Sequence, residues 1–271
     1  MKLIRTLHKS INEGTSIIIF CENKILYDQI EKSYIFNPKD LNRGLISTRF
    51  GYSESEVDSL NYLWDNYRTN KITELVRSVK YKIITDVHNL YELNLELFKF
   101  IDVIQIPAYL CMQTELTTEI AKTGKKINVK KGQFLSPNDV EKIVMKIESA
   151  GNNDITITER GTCFGYRDLM VDPRSFLILR RLNYPVFFDV GHSVRKYGIP
   201  SSNTIDGGQK EFCETYARSA ISNFVDGLFI EVHPNPKSAK CDAATQFSFN
   251  EFEDLMTNIK PLWDFVNNKS N

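Results

Sequence analysis

The chain has 271 residues, 42% of them hydrophobic, with 34 basic side chains balanced by 34 acidic ones. That length suits one barrel domain of about 250 residues or two small domains, and the zero net charge removes any global field toward nucleic acid or an anionic membrane surface. No run of about 18 apolar residues and no signal-peptide core is found, and the five cysteines are scattered without a CxxC spacing, so a soluble cytoplasmic protein with no zinc knuckle is expected.

In chain order, SIIIF (Ser16–Phe20) reads as the first strand. Cys21 follows it, either as a soft thiolate ligand for a divalent metal or as a small buried apolar residue at a strand end. Residues 54–76 place Val57, Leu60, Leu63, Trp64 and Tyr67 at helical spacing, a core-facing stripe. Six β-branched runs then recur: KIITDVH (Lys82–His88), DVIQIP (Asp102–Pro107), KINVKKGQF (Lys126–Phe134), DITITERG (Asp154–Gly161), PVFFDVGH (Pro185–His192) and GLFIEVHPNP (Gly227–Pro236). Each reads as a buried parallel strand ending in a strongly polar residue. The intervening segments hold one helix each, as at Ser136–Ser149, Phe176–Leu182 and Gln209–Phe224. Residues 195–208 are long and polar enough for a mobile lid. His233 is read as structural or as a support behind the site, and an aromatic helix over Ser248–Phe265, with Trp263, packs outside the sheet.

The repeat of strand, polar tip and helix predicts an α/β fold, a (β/α)8 TIM barrel in one domain over residues 1–271, abbreviated at its first helix and second strand. In such a barrel all strand C-termini share one face. Asp86, Gln105, Lys130, Arg160, Asp189, His192 and Glu231 would converge there on a charged ligand. Lys131 is expected to be a solvated neighbour of Lys130 or a charge in the layer behind it, and Glu159 is the carboxylate that would bridge to Arg160 if that arginine were merely structural.

The strings ITDVH, DVIQIPAYLCMQTEL, AKTGKKINVKKGQFLSPNDV, ERGTCFGYRDLMVDPRS, FFDVGHSV and GLFIEVHPNPKSAKCD follow one another at fitting distances. Together they closely resemble the 3-deoxy-D-manno-octulosonate 8-phosphate synthases, also called 2-dehydro-3-deoxyphosphooctonate aldolases. The resemblance implies condensation of phosphoenolpyruvate with arabinose 5-phosphate and water, a role in lipopolysaccharide core synthesis, and a homotetramer. It assigns Lys130, Arg160, Gln105 and Gln133 to phosphoenolpyruvate and Asn42 and Arg43 to the sugar phosphate, with Asp86, His192, Glu231 and Asp242 for acid–base work or for holding water or metal. In the family's metal-dependent branch the equivalents of Cys21, His192, Glu231 and Asp242 hold one divalent ion such as Zn, Fe or Mn. Asn23 would match the metal-free branch, and the two alignments stay open.

The resemblance also shows departures. Residues 23–42 are fewer than the family uses for its first helix and second strand, Asn37 stands at a lysine position, Gly44 replaces a serine or threonine, and Met112 replaces an arginine. Losing a guanidinium that pairs with phosphate costs about 1.5–3 kcal/mol. Two functional readings follow: a synthase, for arabinose 5-phosphate or another aldehyde, or a catalytically impaired relative that binds phospho-ligands or assembles with an intact synthase.

Overall fold

The computed structural model of the chain describes residues 17–20, 84–94, 101–166, 168–196, 198–199, 204–233, 235–239 and 242–268. Cys21, Asn23, Asn42, Arg43, Gly44 and the helix expected over residues 54–76 lie outside them. The described strands are β1 (Ile17–Phe20), β2 (Ile84–Asp86), β3 (Val103–Ile106), β4 (Lys126–Lys130), β5 (Ile155–Glu159), β6 (Val186–Asp189) and β7 (Gly227–Glu231). They form one seven-stranded sheet in the order β1-β7-β6-β5-β4-β3-β2. Every pairing is parallel, with registers such as Ile127↔Ile155, Phe188↔Leu228 and Ile17↔Leu228. All the expected runs are therefore strands, and each strand lies beside its successor except that β1 pairs with β7.

Alternation along each strand separates two kinds of side chain. Ile127 and Val129, Ile155 and Ile157, Val186 and Phe188, and Leu228 and Ile230 belong to the hydrophobic core. The residues between them line the opposite face, where Asn128 donates to Gln105 Oε1 at 3.1 Å and accepts from Thr158 Oγ1 at 2.7 Å. That inner face is strongly concave. Neighbouring strands lie about 4.8 Å apart, so β4 and β7 would stand about 14 Å apart in a flat sheet. Lys130 of β4 nevertheless carries its Nζ 3.4 Å from the ring centroid of Phe229 on β7. The sheet curls into an open half-barrel with a polar interior.

Among the described residues five α-helices follow the strands: α1 (Thr114–Lys122), α2 (Val140–Ser149), α3 (Arg174–Arg180), α4 (Cys213–Ser222) and α5 (Phe249–Asn268). In α2 the buried residues Val140, Ile143, Val144 and Ile147 recur at helical spacing, so one face meets the sheet. Ser136 accepts the Asn138 amide just ahead of this helix, and Pro137 pre-sets the turn. On α3, Phe176 meets Phe188 of β6 edge-on, with centroids 5.6 Å apart. The segment Gln209–Phe224 holds its one helix, which starts late, with a 3-10 turn at Lys210–Phe212 leading into α4. The reason is tertiary: the Gln209 amide is committed to Val194 O at 2.9 Å and its side chain to Asp168 at 3.0 Å. The C-terminal helix runs past Phe265, and Trp263 is buried on it.

Candidate active site

Because all strands are parallel, their C-terminal ends share one rim. From β4 comes Lys130, 4% exposed, whose ammonium is ion-paired with Asp189 at the end of β6. Burial pulls the Lys130 pKa down against the attraction of Asp189. Burial also works to raise the Asp189 pKa, but His192 and then Lys130 outweigh it and hold the carboxyl well below the usual carboxylate range. Asp189 accepts from the His192 backbone amide at 2.9 Å, and its Oδ2 lies 2.9 Å from His192 Nδ1. For His192, burial lowers the pKa, yet Asp189 and then Glu231 win and push it up to about 9.

The far nitrogen of the ring faces two more carboxylates. His192 Nε2 is 3.8 Å from Glu231 Oε1 and 3.7 Å from Asp242 Oδ2. Asp242 reaches this position because the backbone around it folds back onto the end of β7, with Phe247 N bonded to Glu231 O and His233 N to Phe247 O. Gly191 lets the turn after β6 approach that segment, since a Cβ there would lie 3.0 Å from Thr245 O. Ligand atoms of His192, Glu231 and Asp242 all lie within 4.8 Å of one another, a nitrogen and two oxygens suited to a divalent ion. Arg195 Nη1 sits 3.2 Å from Asp242 Oδ1 and joins the first residue of the expected lid to this cluster.

Arg160, just beyond β5, is 4% exposed. Its guanidinium donates to Gln133 Oε1 at 2.8 Å and to His192 O at 3.4 Å. It makes no ion pair with any described residue, so the bridge to Glu159 that a merely structural arginine would form is not made: Glu159 lies 3.3 Å from Lys131 Nζ instead. Lys131 is likewise not solvated. It is 1% exposed, because strand alternation turns it away from Lys130 into the layer behind the tips. A buried guanidinium whose hydrogen-bond acceptors among the described residues are neutral, beside a buried lysine, suits an anion with several oxygens, even with Asp189 and Asp242 close enough to attract it.

Asp86 and Gln105 are register partners on β2 and β3. Asp86 Oδ2 is 3.6 Å from His88 Nε2, and Gln105 is tied to Asn128. His233 is 1% exposed and its Nδ1 accepts the Asn235 amide at 2.9 Å, as a structural histidine would. Met112 is half-buried and packs against the core, and its carbonyl accepts from Lys146 Nζ at 2.9 Å. Asp189 was legible as a strand tip, but its hold on His192 could have been read from the three-residue spacing in DVGH. The pairing of Lys131 with Glu159 had only the alternation of KINVKK as its signal.

The model of the DAHP synthetase I family matches residues 47–265. The 2-dehydro-3-deoxyphosphooctonate aldolase of Trichlorobacter lovleyi is 41% identical over 191 residues, covering 70% of this chain and 69% of that protein. Its namesake in Geobacter sp. strain M21 is 44% identical over 185 residues, covering 68% and 67%. That of Fusobacterium nucleatum is 42% identical over 185 residues, covering 68% and 66%. With the curled parallel sheet and the cationic rim, these matches bear out the resemblance read from the strand-tip strings: the chain belongs to the DAHP synthetase I family, among the 3-deoxy-D-manno-octulosonate 8-phosphate synthases, or 2-dehydro-3-deoxyphosphooctonate aldolases.

Proposed function

We propose that this chain condenses phosphoenolpyruvate with arabinose 5-phosphate and water, forming 3-deoxy-D-manno-octulosonate 8-phosphate and inorganic phosphate for lipopolysaccharide synthesis. The observation that carries this reading is the Arg160 guanidinium, withdrawn from water beside Lys130, with Gln133 and a carbonyl as its hydrogen-bond partners among the described residues. Phosphoenolpyruvate carries a phosphate and a carboxylate, so it needs two cations at fixed spacing. Lys130 and Arg160 supply them, Gln133 holds the guanidinium fork, and Gln105 borders the same interior. Asn42 and Arg43 take the sugar phosphate.

Adding the enol carbon to the aldehyde requires the carbonyl oxygen to gain a proton, and adding water requires one to be removed. Asp86, His192, Glu231 and Asp242 are the groups for this work. Asp189 fixes His192 through Nδ1, so Nε2 is the nitrogen turned toward Glu231 and Asp242. The same three side chains fit a divalent ion such as Zn, Fe or Mn, with Cys21 as a fourth ligand; Asn23 would take that place in a metal-free site. When bound, the ion would polarise a carbonyl or a water as a Lewis acid.

Strand order supports closure of the whole chain, residues 1–271, as a single eight-stranded barrel. Among the described strands β1 lies beside β7 and β2 forms the other edge, as the two ends of a curling parallel sheet would. A cytoplasmic homotetramer completes the reading.

Met112 favours a second reading. An apolar side chain packed on the core stands where the resemblance puts a phosphate-binding arginine, which suits another aldehyde or a phospho-ligand binder. The deciding assay is phosphate release and keto-sugar formation from phosphoenolpyruvate and arabinose 5-phosphate, with chelator and with added divalent metal. Product lost on chelation supports the metal site with Cys21, and chelator-resistant product supports Asn23. Phosphoenolpyruvate binding without product in either condition supports the second reading.

A further inference from the structure

We infer that the buried pair Lys131 and Glu159 is a positioning device that sets the spacing of Lys130 and Arg160. The inference rests on reading the pocket of Lys130 and Arg160 as the phosphoenolpyruvate site. Lys130 and Lys131 are neighbours in sequence and point to opposite faces of β4, so only the first enters the pocket. The ammonium of Lys131 donates to Gly132 O at 3.2 Å, Leu135 O at 3.4 Å and Gly161 O at 3.1 Å, and lies 3.3 Å from Glu159 Oε1. Two of those carbonyls belong to the segment after β4 and one to the segment after β5. The single oxygen Glu159 Oε1 also accepts the amides of Arg160 at 2.9 Å and Gly161 at 2.6 Å.

One cation and one anion therefore hold the backbone on both sides of the gap that separates the two anion-binding side chains. Gln133, which grips Arg160, lies between the Gly132 and Leu135 carbonyls in sequence, and its own carbonyl accepts the Cys163 amide at 2.8 Å. Gly161 takes φ +85°, and a Cβ there would come within 3.2 Å of Met170 O, so its carbonyl is presented to Lys131 from a conformation that an L side chain would strain. An apolar pair of the same volume would fill the space with no desolvation penalty. What it would lack is donors for three carbonyls and an acceptor for two amides.

The test compares wild type, Lys131→Met, Lys131→Met with Glu159→Gln, and Glu159→Gln alone. Calorimetric titration with phosphoenolpyruvate is followed by steady-state kinetics with both substrates. The double variant leaves no unpaired buried charge and is expected to keep its fold by circular dichroism. Its phosphoenolpyruvate affinity should nevertheless fall about tenfold to hundredfold, the range for losing a well-aligned hydrogen bond to a charged group. KM for phosphoenolpyruvate should rise in step, while KM for arabinose 5-phosphate stays near wild type. If the double variant does not fold, Glu159→Gln reads the same contact, because it keeps an amide oxygen for the two N–H groups and loses the charge facing Lys131. Folded variants that bind phosphoenolpyruvate as tightly as wild type overturn this inference alone. Wild-type protein that binds no phosphoenolpyruvate overturns the proposed pocket, and the inference with it.

Discussion

At Arg160 a guanidinium is withdrawn from water with a glutamine oxygen and a backbone carbonyl as its partners, so much of its hydrogen-bonding capacity is left for a ligand. Arg160→Ala is expected to weaken phosphoenolpyruvate binding by about 1.5–3 kcal/mol, roughly tenfold to hundredfold, with Arg160→Lys falling between because it keeps charge and loses the fork. Titration calorimetry on folded variants measures both, and unchanged affinity in Arg160→Ala would remove this residue from the pocket. Cys213 shows burial acting on a different group. Its thiol is 1% exposed, and burial, opposed by Lys210, pushes its pKa up to about 12. That lies above the ordinary thiol value of about 8.5, so the neutral thiol contributes stability that is fully present below about pH 8.5 and lost as pH rises through the folded value. The stability advantage of wild type over Cys213→Ala, measured by urea unfolding, should narrow between pH 7.5 and pH 10. A gap that widens would contradict the assignment.

Among the elements, β6 joins packing to the site: its outer face packs α3 through Phe188 and Phe176, while its tip supplies Asp189. Phe188→Ala should cost about 3–5 kcal/mol, since both rings are fully buried and the site has no room to collapse. Urea denaturation of the variant is the check, and a loss below about 1 kcal/mol would mean that α3 is loosely docked. Strands were legible because β-branched runs buried on both faces have a short, distinctive pattern. Helix ends were less so. Gln209 has a good helical context, yet it is drawn into contacts with Val194 and Asp168, which lie far from it in sequence.

For the whole molecule, the cluster of His192, Glu231 and Asp242 joins β6, β7 and the segment ahead of α5, so an ion bound there would tie three parts of the chain together. Added Zn or Mn at about 100 times its dissociation constant should stabilise the fold by about 2.7 kcal/mol. The thermal midpoint should rise in wild type and not in His192→Ala; equal shifts in the two would place the ion elsewhere. The sequence by itself determined the succession of parallel strands, the polar residues at their tips and the family, because these follow from local pattern and motif strings. Only the tertiary structure decided which charges meet. Lys130 and Asp189 are 59 positions apart and pair because the sheet curls. Lys131, next to Lys130, is sent by strand alternation to the opposite face, where it takes the carboxylate that stands next to Arg160 in sequence. Charge pairing depends on distance through the fold, and distance between strands is set by curvature and side-chain direction, which no local run of residues contains.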